Sequence, residues 1–261
     1  MGRIKKVVSV TPATPEHPCL MKSWLSAVWD LLFPVSCTIC SASISRPDSA
    51  LCPVCLENVR LISSPFCTVC GLEMESSAPG DHLCGSCLRK RPPFYSARAV
   101  ARYQEPVSTL LHKLKYQGDT SVLPALQEVV NLFSVISIDH ADRIIPVPLH
   151  RCRLRIRGFN QAKLLAELFF QGCREQLLLD CLERRQYTEP QTTLDGDARR
   201  KNLRQAFMVR KAEQIRGRTV FLVDDVYTTG TTVAECSKVL LAAGAHAVKV
   251  VTVARVVKRN M

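Results

Sequence analysis

The sequence predicts an α/β protein in which a parallel β-sheet carries helices on both faces, preceded by a small cysteine-rich module. Two observations support this fold class. After residue 94, short β-branched apolar runs alternate with helical patterns, as is typical of right-handed strand–helix–strand units. Before residue 91, eight cysteines form four C-x-x-C pairs, a spacing that favours tetrahedral zinc sites. We therefore expect a metal-binding domain over residues 21–91 and an α/β domain over residues 94–257.

The composition indicates a folded, cationic protein. Apolar residues make up 47% of the 261 residues, which is ample for a buried core. No apolar run reaches the roughly 18 residues of a transmembrane helix, so no membrane span is expected. The net charge of +12 favours anionic partners, either polyphosphorylated small molecules or nucleic acid. Because no signal-peptide pattern opens the chain, its thirteen cysteines indicate a cytoplasmic, metal-binding protein rather than a disulfide-linked one.

The first residues are expected to precede the folded core. Residues 1–20 contain three prolines and no clear period, which predicts a disordered extension. Met21 then begins an amphipathic helix whose apolar face runs through Leu32. We expect that face to dock on the protein's own core.

The C-x-x-C pairs predict two structural zinc sites. Two pairs separated by about a dozen residues offer four thiolates to one ion. The module resembles an internal duplication, so we expect sequential pairing with one zinc in each half; pairing of the first with the third pair is the alternative. A redox role suits a lone C-x-x-C better than four in register. The expected ligands are Cys37, Cys40, Cys52 and Cys55 in the first half and Cys67, Cys70, Cys84 and Cys87 in the second.

The α/β domain is predicted to alternate between strands and helices. Strands are expected at residues 97–103, 143–148, 177–182, 207–209, 218–223 and 248–254. Helices are expected at residues 107–115, 122–135, 160–169 and 232–243. Pro124 fits the second helix only in its first turn, and Asn160 is expected to cap the third.

Residues 149–161 form a basic segment after the second strand. Arg151, Arg153, Arg155 and Arg157 recur at every second position, so an extended segment would present four guanidinium groups on one side. Arginine suits bidentate contact with phosphate, and we expect at least one of these side chains to contact a ligand. A solvated or partner-binding basic surface is the alternative.

Residues 188–203 are polar and poor in large apolar side chains, and their centre reads Asp197-Ala198-Arg199-Arg200-Lys201-Asn202. A long segment without a core of its own often serves as a mobile lid over an active site. We predict such a lid here.

The strongest functional signal is the stretch from Val223 to Thr232. Asp224 and Asp225 follow a buried strand, at the end where parallel sheets bind ligands. A Thr/Gly loop, residues 228–232, then enters a helix, and its amides with the helix dipole favour a phosphate. Carboxylates accept hydrogen bonds from hydroxyls, so the two halves together suit ribose 5-phosphate. A paired-Asp turn capping the helix is the structural alternative; a P-loop NTPase is disfavoured because the chain contains no Gly-Lys pair.

This string resembles the phosphoribosyl-diphosphate (PRPP) binding motif of type I phosphoribosyltransferases: four apolar residues, two acids and a T-T-G-x-T loop. Over nearly its whole length the chain is also similar to the ComF/GntX family, which joins a double zinc ribbon to such a transferase domain. Besides the cysteines, the segments that support this resemblance are Leu114-Lys115-Tyr116, Val147-Pro148-Leu149-His150, Arg157-Gly158-Phe159-Asn160-Gln161 and Arg199-Arg200-Lys201-Asn202.

The resemblance implies roles for particular residues. Asp224 and Asp225 would bind the ribose 2′- and 3′-hydroxyls, and the 5′-phosphate would be held by Thr228, Thr229, Gly230, Thr231 and Thr232. The pyrophosphate side would be formed by Leu149, His150, Arg151 and Arg157. Arg200 and Lys201 would belong to the flexible catalytic loop, and Mg²⁺ would be held mainly by the diphosphate and the sugar hydroxyls.

Two functions of different classes fit these expectations. The first is a phosphoribosyltransferase whose acceptor is unassigned, since the sequence displays neither a nucleobase-recognition element nor a general base. The second is a PRPP- or nucleotide-responsive protein that handles single-stranded DNA, alone or with competence proteins, because family members are linked to natural competence and DNA uptake. An aromatic content of only 6% weakens the second reading. A scaffold without ligands is disfavoured because both acids and the phosphate loop are present.

Overall fold

The computed structural model describes residues 35–46, 48–75, 80–132, 142–185 and 206–257. The predicted extension at residues 1–20, the amphipathic helix that begins at Met21, and the predicted lid with Arg200 and Lys201 lie outside the described residues.

Within the described ranges the chain forms strands and helices in alternation. The strands are β1 (Ser96–Arg102), β2 (Arg143–Pro146), β3 (Leu182–Arg184), β4 (Phe207–Val209), β5 (Thr219–Tyr227) and β6 (Ala247–Arg255). The α-helices are α1 (Pro53–Glu57), α2 (Gly85–Arg89), α3 (Val107–His112), α4 (Leu123–Asn131), α5 (Arg151–Arg157), α6 (Gln161–Phe169) and α7 (Thr231–Ala242). Short 3-10 helices span Thr120–Val122, Arg174–Gln176 and Ala212–Gln214, and a π-helical turn at Lys113–Gln117 continues α3. None of the helices in these ranges has the length and apolar character needed to cross a membrane.

A four-stranded parallel sheet in the order β1-β6-β5-β2 forms the centre of the molecule. Val220, Leu222 and Val248 are completely buried, because both faces of the sheet are covered, as parallel sheets require. The carboxyl ends of the four strands therefore meet at one side of the sheet, which we call the carboxyl edge. The predicted fold class is confirmed.

The two faces of the sheet carry different layers. Phe221 and Val223 pack in one apolar cluster with the inner sides of α3, α4 and α6. Val220 and Leu222, which alternate with them along β5, pack in a second cluster with α7 and the β3–β4 hairpin. The period-2 alternation of a strand thus assigns β5 to two separate halves of the core.

The β3–β4 hairpin corrects one predicted strand. β3 and β4 pair antiparallel in a separate two-stranded sheet. The strand predicted at residues 177–182 is wrong, since Leu177 forms only an isolated bridge to Ile144 and β3 begins at Leu182. The apolar run serves packing instead, because Leu177 and Leu178 contact different core clusters.

The basic segment after β2 is a helix, so its arginines do not form a one-sided ladder. α5 begins after His150, whose side chain accepts a hydrogen bond from the Cys152 amide, and ends at Gly158, which has a φ of 81°. An α-helix turns by about 100° per residue, so side chains at every second position fan around its axis. No residue of α5 is fully buried, and the segment therefore shows no apolar period in the sequence.

The cysteine-rich module has two halves that pack on opposite sides of the sheet. The first ribbon, residues 35–59, joins the cluster of α3 and α4 through Leu51 and Val59. The second ribbon, residues 65–88, joins the other cluster through Val69. The connector between them pairs with the outer strand β1, where Leu61 bridges Ala101. This contact covers a sheet edge that would otherwise expose unpaired backbone groups.

Candidate functional site

Each ribbon gathers its own four cysteines. The sulfur atoms of each set lie within 4.8 Å of one another: Cys37, Cys40, Cys52 and Cys55 in the first ribbon, and Cys67, Cys70, Cys84 and Cys87 in the second. Four thiols at such distances fit one tetrahedral Zn²⁺. The predicted sequential pairing is confirmed, and the cross-braced alternative is wrong.

Backbone amides stabilise a thiolate in each cluster. The amide of Cys52 lies 3.4 Å from Cys37 Sγ, and the amide of Cys84 lies 3.4 Å from Cys67 Sγ. Burial opposes ionisation of these two thiols, but the N–H groups outweigh it and lower the pKa of Cys37 and of Cys67 to about 6. Zinc ligands must be deprotonated, so both donor sets fit the ion that they would hold.

Asp224 and Asp225 lie inside β5 rather than beyond its end. The predicted end of this strand at Val223 is wrong, because β6 continues beside it and pairs Asp224 with Thr252 in the ladder. Consecutive strand residues point to opposite faces of a sheet. The two carboxylates therefore lead to different surroundings at the carboxyl edge.

Asp225 forms an ion pair with Lys115. Asp225 is buried, and its Oδ2 lies 3.1 Å from Lys115 Nζ. Burial alone would lower the pKa of Lys115, but the negative charge of Asp225 outweighs it and raises that pKa. Lys115 reaches this position from the π-helical turn after α3, a local geometry that is frequent at functional sites. Sequence reasoning did not assign Lys115 to the site; its only signal was the Leu114-Lys115-Tyr116 segment.

Asp224 occupies the side of β5 that faces α7 and the hairpin. Burial, and then the adjacent charge of Asp225, raise the pKa of Asp224 well above its ordinary value of 3.8. One of its oxygens, Oδ1, accepts a hydrogen bond from the Asp225 amide at 2.9 Å. Its charge also acts on Cys236 and Arg184. A carboxylate placed in this way favours a ligand that brings hydrogen-bond donors.

The Thr/Gly loop follows β5 and leads into α7. Thr228 and Thr229 are exposed, and Thr229 Oγ1 lies 2.8 Å from Thr231 Oγ1. Gly230 caps the twelve-residue α7 with a φ of 75°, and a Cβ at this position would lie 2.2 Å from the hydroxyl oxygen of Tyr227. Only glycine fits there. The loop thus presents hydroxyls and backbone amides at a helix N-terminus, an arrangement that favours an anion.

The residues predicted on the pyrophosphate side have different surroundings. Burial lowers the pKa of Arg157, and the negative charge of Asp225 opposes this shift. Arg151 is turned toward the hairpin, where it pairs with Glu183 at 3.0 Å. His150 caps α5, and Leu149 lines a cavity. The guanidinium of Arg157 donates to Gln161 Oε1 at 2.6 Å and lies within the electrostatic influence of Asp225.

Asn160 fixes the turn that carries these residues. Its Oδ1 accepts a hydrogen bond from the Ala162 amide at 3.0 Å, and its Nδ2 donates to the Val147 carbonyl at 3.1 Å. The Val147 amide in turn donates to the Val223 carbonyl at 2.8 Å. One side chain therefore caps α6, as predicted, and holds the turn after β2 against β5.

A cavity of about 690 Å³ opens between the turn after β2, α5 and the β3–β4 hairpin. Leu149, Arg151 and Arg184 are among the residues that line it. The charge of Asp224 acts on Arg184, so one residue of the cavity lining interacts electrostatically with the paired acids.

Two family models match the chain. A double zinc ribbon domain matches residues 28–88, and a phosphoribosyl transferase domain matches residues 162–260. The first model contains both four-cysteine sites, and the second contains Asp224, Asp225 and the Thr/Gly loop.

Curated relatives are similar over most of their length. The chain is 35% identical over 226 residues to the DNA utilization protein YhgH of Escherichia coli K12, covering 84% of this chain and 96% of that protein. It is 31% identical over 229 residues to competence protein F of Haemophilus influenzae, covering 85% and 98%. It is 27% identical over 212 residues to competence protein ComFC of Bacillus subtilis, covering 76% and 81%.

Proposed function

The chain belongs to the ComF/GntX family, and on that premise we propose that it binds PRPP with Mg²⁺ at the carboxyl edge of its sheet. In this proposal the Thr/Gly loop holds the 5′-phosphate, and Asp224 and Asp225 accept hydrogen bonds from the ribose hydroxyls. The diphosphate is bound by Arg157 and by the turn at Leu149–Arg151. The bound compound is the donor of a phosphoribosyl transfer.

One observation carries this proposal: a Thr/Gly loop at a helix N-terminus and two carboxylates lie on one continuous strand–loop–helix unit. The loop lies at the N-terminus of α7, where amide dipoles favour phosphate. The acids precede it in β5, where they would repel a phosphate but accept hydroxyl groups. A ligand with a phosphate at one end and a diol near the other would place the phosphate at the loop and the hydroxyls at the carboxylates.

Cations are available for the charge that the reaction develops. When pyrophosphate leaves C1 of the ribose, negative charge grows on the leaving group, and nearby guanidinium groups stabilise it. Arg157 is half-buried and would exert a stronger field than an exposed arginine. Arg200 and Lys201 are proposed as catalytic residues of the lid and lie outside the described residues.

Magnesium suits the acidic half of the site, which is formed by Asp224 and Asp225. Mg²⁺ would be held mainly by the diphosphate and the ribose hydroxyls that the two carboxylates bind, with water completing the shell. A bound Mg²⁺ would neutralise charge on the diphosphate. The ion would also lower the cost of ionised Asp224, whose pKa is raised by burial.

Calorimetry with Mg²⁺ and PRPP tests the proposal. Wild type is expected to bind, and Asp224→Asn and Asp225→Asn should each lower the affinity by about 10- to 100-fold, because each removes a charge-assisted hydrogen bond. Asp48→Asn is the matched control, since Asp48 is exposed and belongs to the first ribbon rather than to β5 or the Thr/Gly loop. Absence of binding by wild type would refute the assignment.

A second candidate function is the handling of single-stranded DNA. Its support is a net charge of +12 and the surface helix α5, which carries four arginines beside exposed Leu154 and Ile156. The names of the relatives, DNA utilization protein and competence protein, fit this reading. Binding of a fluorescent oligonucleotide at two salt concentrations should show a steep electrostatic slope that weakens in Arg153→Gln/Arg155→Gln.

Turnover separates the two candidates. Pyrophosphate release is expected with PRPP and one member of a panel of bases, and release with no acceptor of the panel would favour the binding role. We place either activity in the cytoplasm, because a reducing compartment keeps cysteines available to zinc.

A further inference from the structure

Tyr227 packs against Gly230 and so supports the Thr/Gly loop, which is called the phosphate loop below after its proposed ligand. Its side chain is buried, and its hydroxyl occupies the space that a Cβ on Gly230 would need. The ring is held on one side by Phe94, with a T-shaped contact at 6.3 Å between centroids. On another side lies the guanidinium of Arg255, 4.1 Å from the ring centroid. The position of the loop therefore depends on a ring that is itself fixed by two neighbours.

Arg255 connects this ring to the second zinc site. It pairs with Tyr227 across β5 and β6, and its side chain is buried. Nη1 donates to the carbonyl of Cys70 at 2.6 Å, and Nη2 lies 3.7 Å from Cys70 Sγ. A guanidinium beside a zinc-ligating thiolate is an outer-shell contact of the kind that orients metal ligands. One side chain thus contacts both a metal ligand and the support of the loop.

We propose that Arg255 and Tyr227 are positioning residues that couple the second zinc ribbon to the phosphate loop. The path runs from Cys70 through Arg255 and Tyr227 to Gly230. Cys70 would be fixed by a zinc ion bound to the second ribbon, and Arg255, which contacts Cys70 and the ring of Tyr227, would hold that ring under the loop. The inference rests on the proposed function for its ligand, but the coupling itself is a property of the unliganded protein.

Arg98 provides a matched control for this coupling. Its guanidinium also stacks on an aromatic ring, 4.8 Å from the centroid of Phe66. It also donates to a backbone carbonyl of the second ribbon, that of Thr68, at 3.1 Å. In the part of the chain that the structure describes, Arg98 contacts Ala97, Thr68 and Phe66 rather than Tyr227 or Gly230. A change at Arg98 therefore reports on general docking of the ribbon and not on the path to the loop.

The test uses the full, zinc-loaded chain and four proteins: wild type, Arg255→Lys, Tyr227→Phe and Arg98→Lys. Hydrogen exchange of the amides of residues 229–232 is measured without ligand, together with zinc content. Exchange should accelerate in Arg255→Lys and Tyr227→Phe and stay near wild type in Arg98→Lys. Affinity for ribose 5-phosphate should fall by about tenfold in Arg255→Lys and by about threefold in Tyr227→Phe, with two zinc ions retained.

Each outcome decides the proposal. Unchanged exchange in Tyr227→Phe overturns it, and this variant keeps all thiols and Arg255 even if Arg255→Lys loses zinc. Equal acceleration in Arg98→Lys also overturns it, because the effect would then be general loosening of the ribbon. If wild type binds neither ribose 5-phosphate nor PRPP, the proposed function fails, while the exchange data still decide the coupling.

Discussion

The two zinc ribbons share a ligand pattern but contact the rest of the molecule by different chemistry. The first ribbon docks on the helical layer: Glu128 of α4 accepts hydrogen bonds from Ser49 Oγ, at 3.0 Å, and from the Ala50 amide, and Lys113 donates to the Thr38 carbonyl at 2.8 Å. The second ribbon is joined to the carboxyl edge through buried Arg255. All four cysteines of the second ribbon are buried, whereas Cys40 of the first is exposed.

This difference assigns each ribbon to one half of the candidate site. Lys113 belongs to the same π-helical turn as Lys115, which pairs with Asp225, so the first ribbon adjoins the acidic half. Arg255 and Tyr227 connect the second ribbon to the phosphate half. The two ribbons have the same four-cysteine ligand pattern, but they contact different parts of the candidate site because different side chains of the α/β domain bind them.

The largest expected effect distinguishes the two metal sites. Cys67→Ser removes a ligand that is fully buried and central to the second site, and it should lower the free energy of unfolding by more than about 4 kcal/mol, as loss of a structural metal does. Cys40→Ser should cost less, because water can reach the exposed position. Thermal unfolding with zinc analysis checks both. Equal losses would show that the ribbons are equivalent.

Removal of Lys115 tests the acidic half. Lys115→Met leaves the buried carboxylate of Asp225 without its cation and should destabilise the protein by about 1–2 kcal/mol, less than for a fully buried pair because Lys115 is one-third exposed. Denaturant unfolding measures the change. Lys113→Met is the control: it breaks the contact with the first ribbon and keeps the ion pair. A larger loss in the control would place the stabilisation at the ribbon.

Zinc release gives a kinetic form of the comparison. A chelator should remove the zinc of the first ribbon faster, because its Cys40 is accessible, while burial protects the second site. Chromophoric chelator assays on wild type should therefore show two phases, of which Cys40→Ser removes the fast one. A single phase that carries both equivalents would contradict the assigned difference in access.

Much of this arrangement follows from the sequence, and the exceptions have physical causes. The cysteine spacing predicted two zinc sites. The same spacing is compatible with sequential and with cross-braced pairing, and tertiary packing decides between them. The α5 helix escaped prediction because it buries no residue, so no apolar period marks it. Its signals are local ones, the His150 cap and Gly158 at its end.

Long-range contacts were beyond sequence reasoning for a related reason. The Arg255 contact with Cys70 joins residues 185 positions apart, and the ion pair of Lys115 with Asp225 joins the π-helical turn after α3 to β5. Local propensity carries no information about either pair. By contrast, the Thr/Gly loop and its helix were predictable because turn and cap chemistry are encoded in adjacent residues.

The smallest expected effect is the pH dependence of stability that Asp224 causes. Because the pKa of Asp224 is raised in the folded protein, the folded state holds this proton more tightly than the unfolded chain does. The free energy of unfolding should therefore fall as the pH rises from 3.8 through the folded pKa. Asp224→Asn removes this dependence and should raise Tm by a few degrees at neutral pH, with the gain vanishing toward pH 4, while its affinity for PRPP falls as stated above. Melting curves across this pH range check the sign, and a variant less stable than wild type at neutral pH would show that ionised Asp224 is stabilised within the fold.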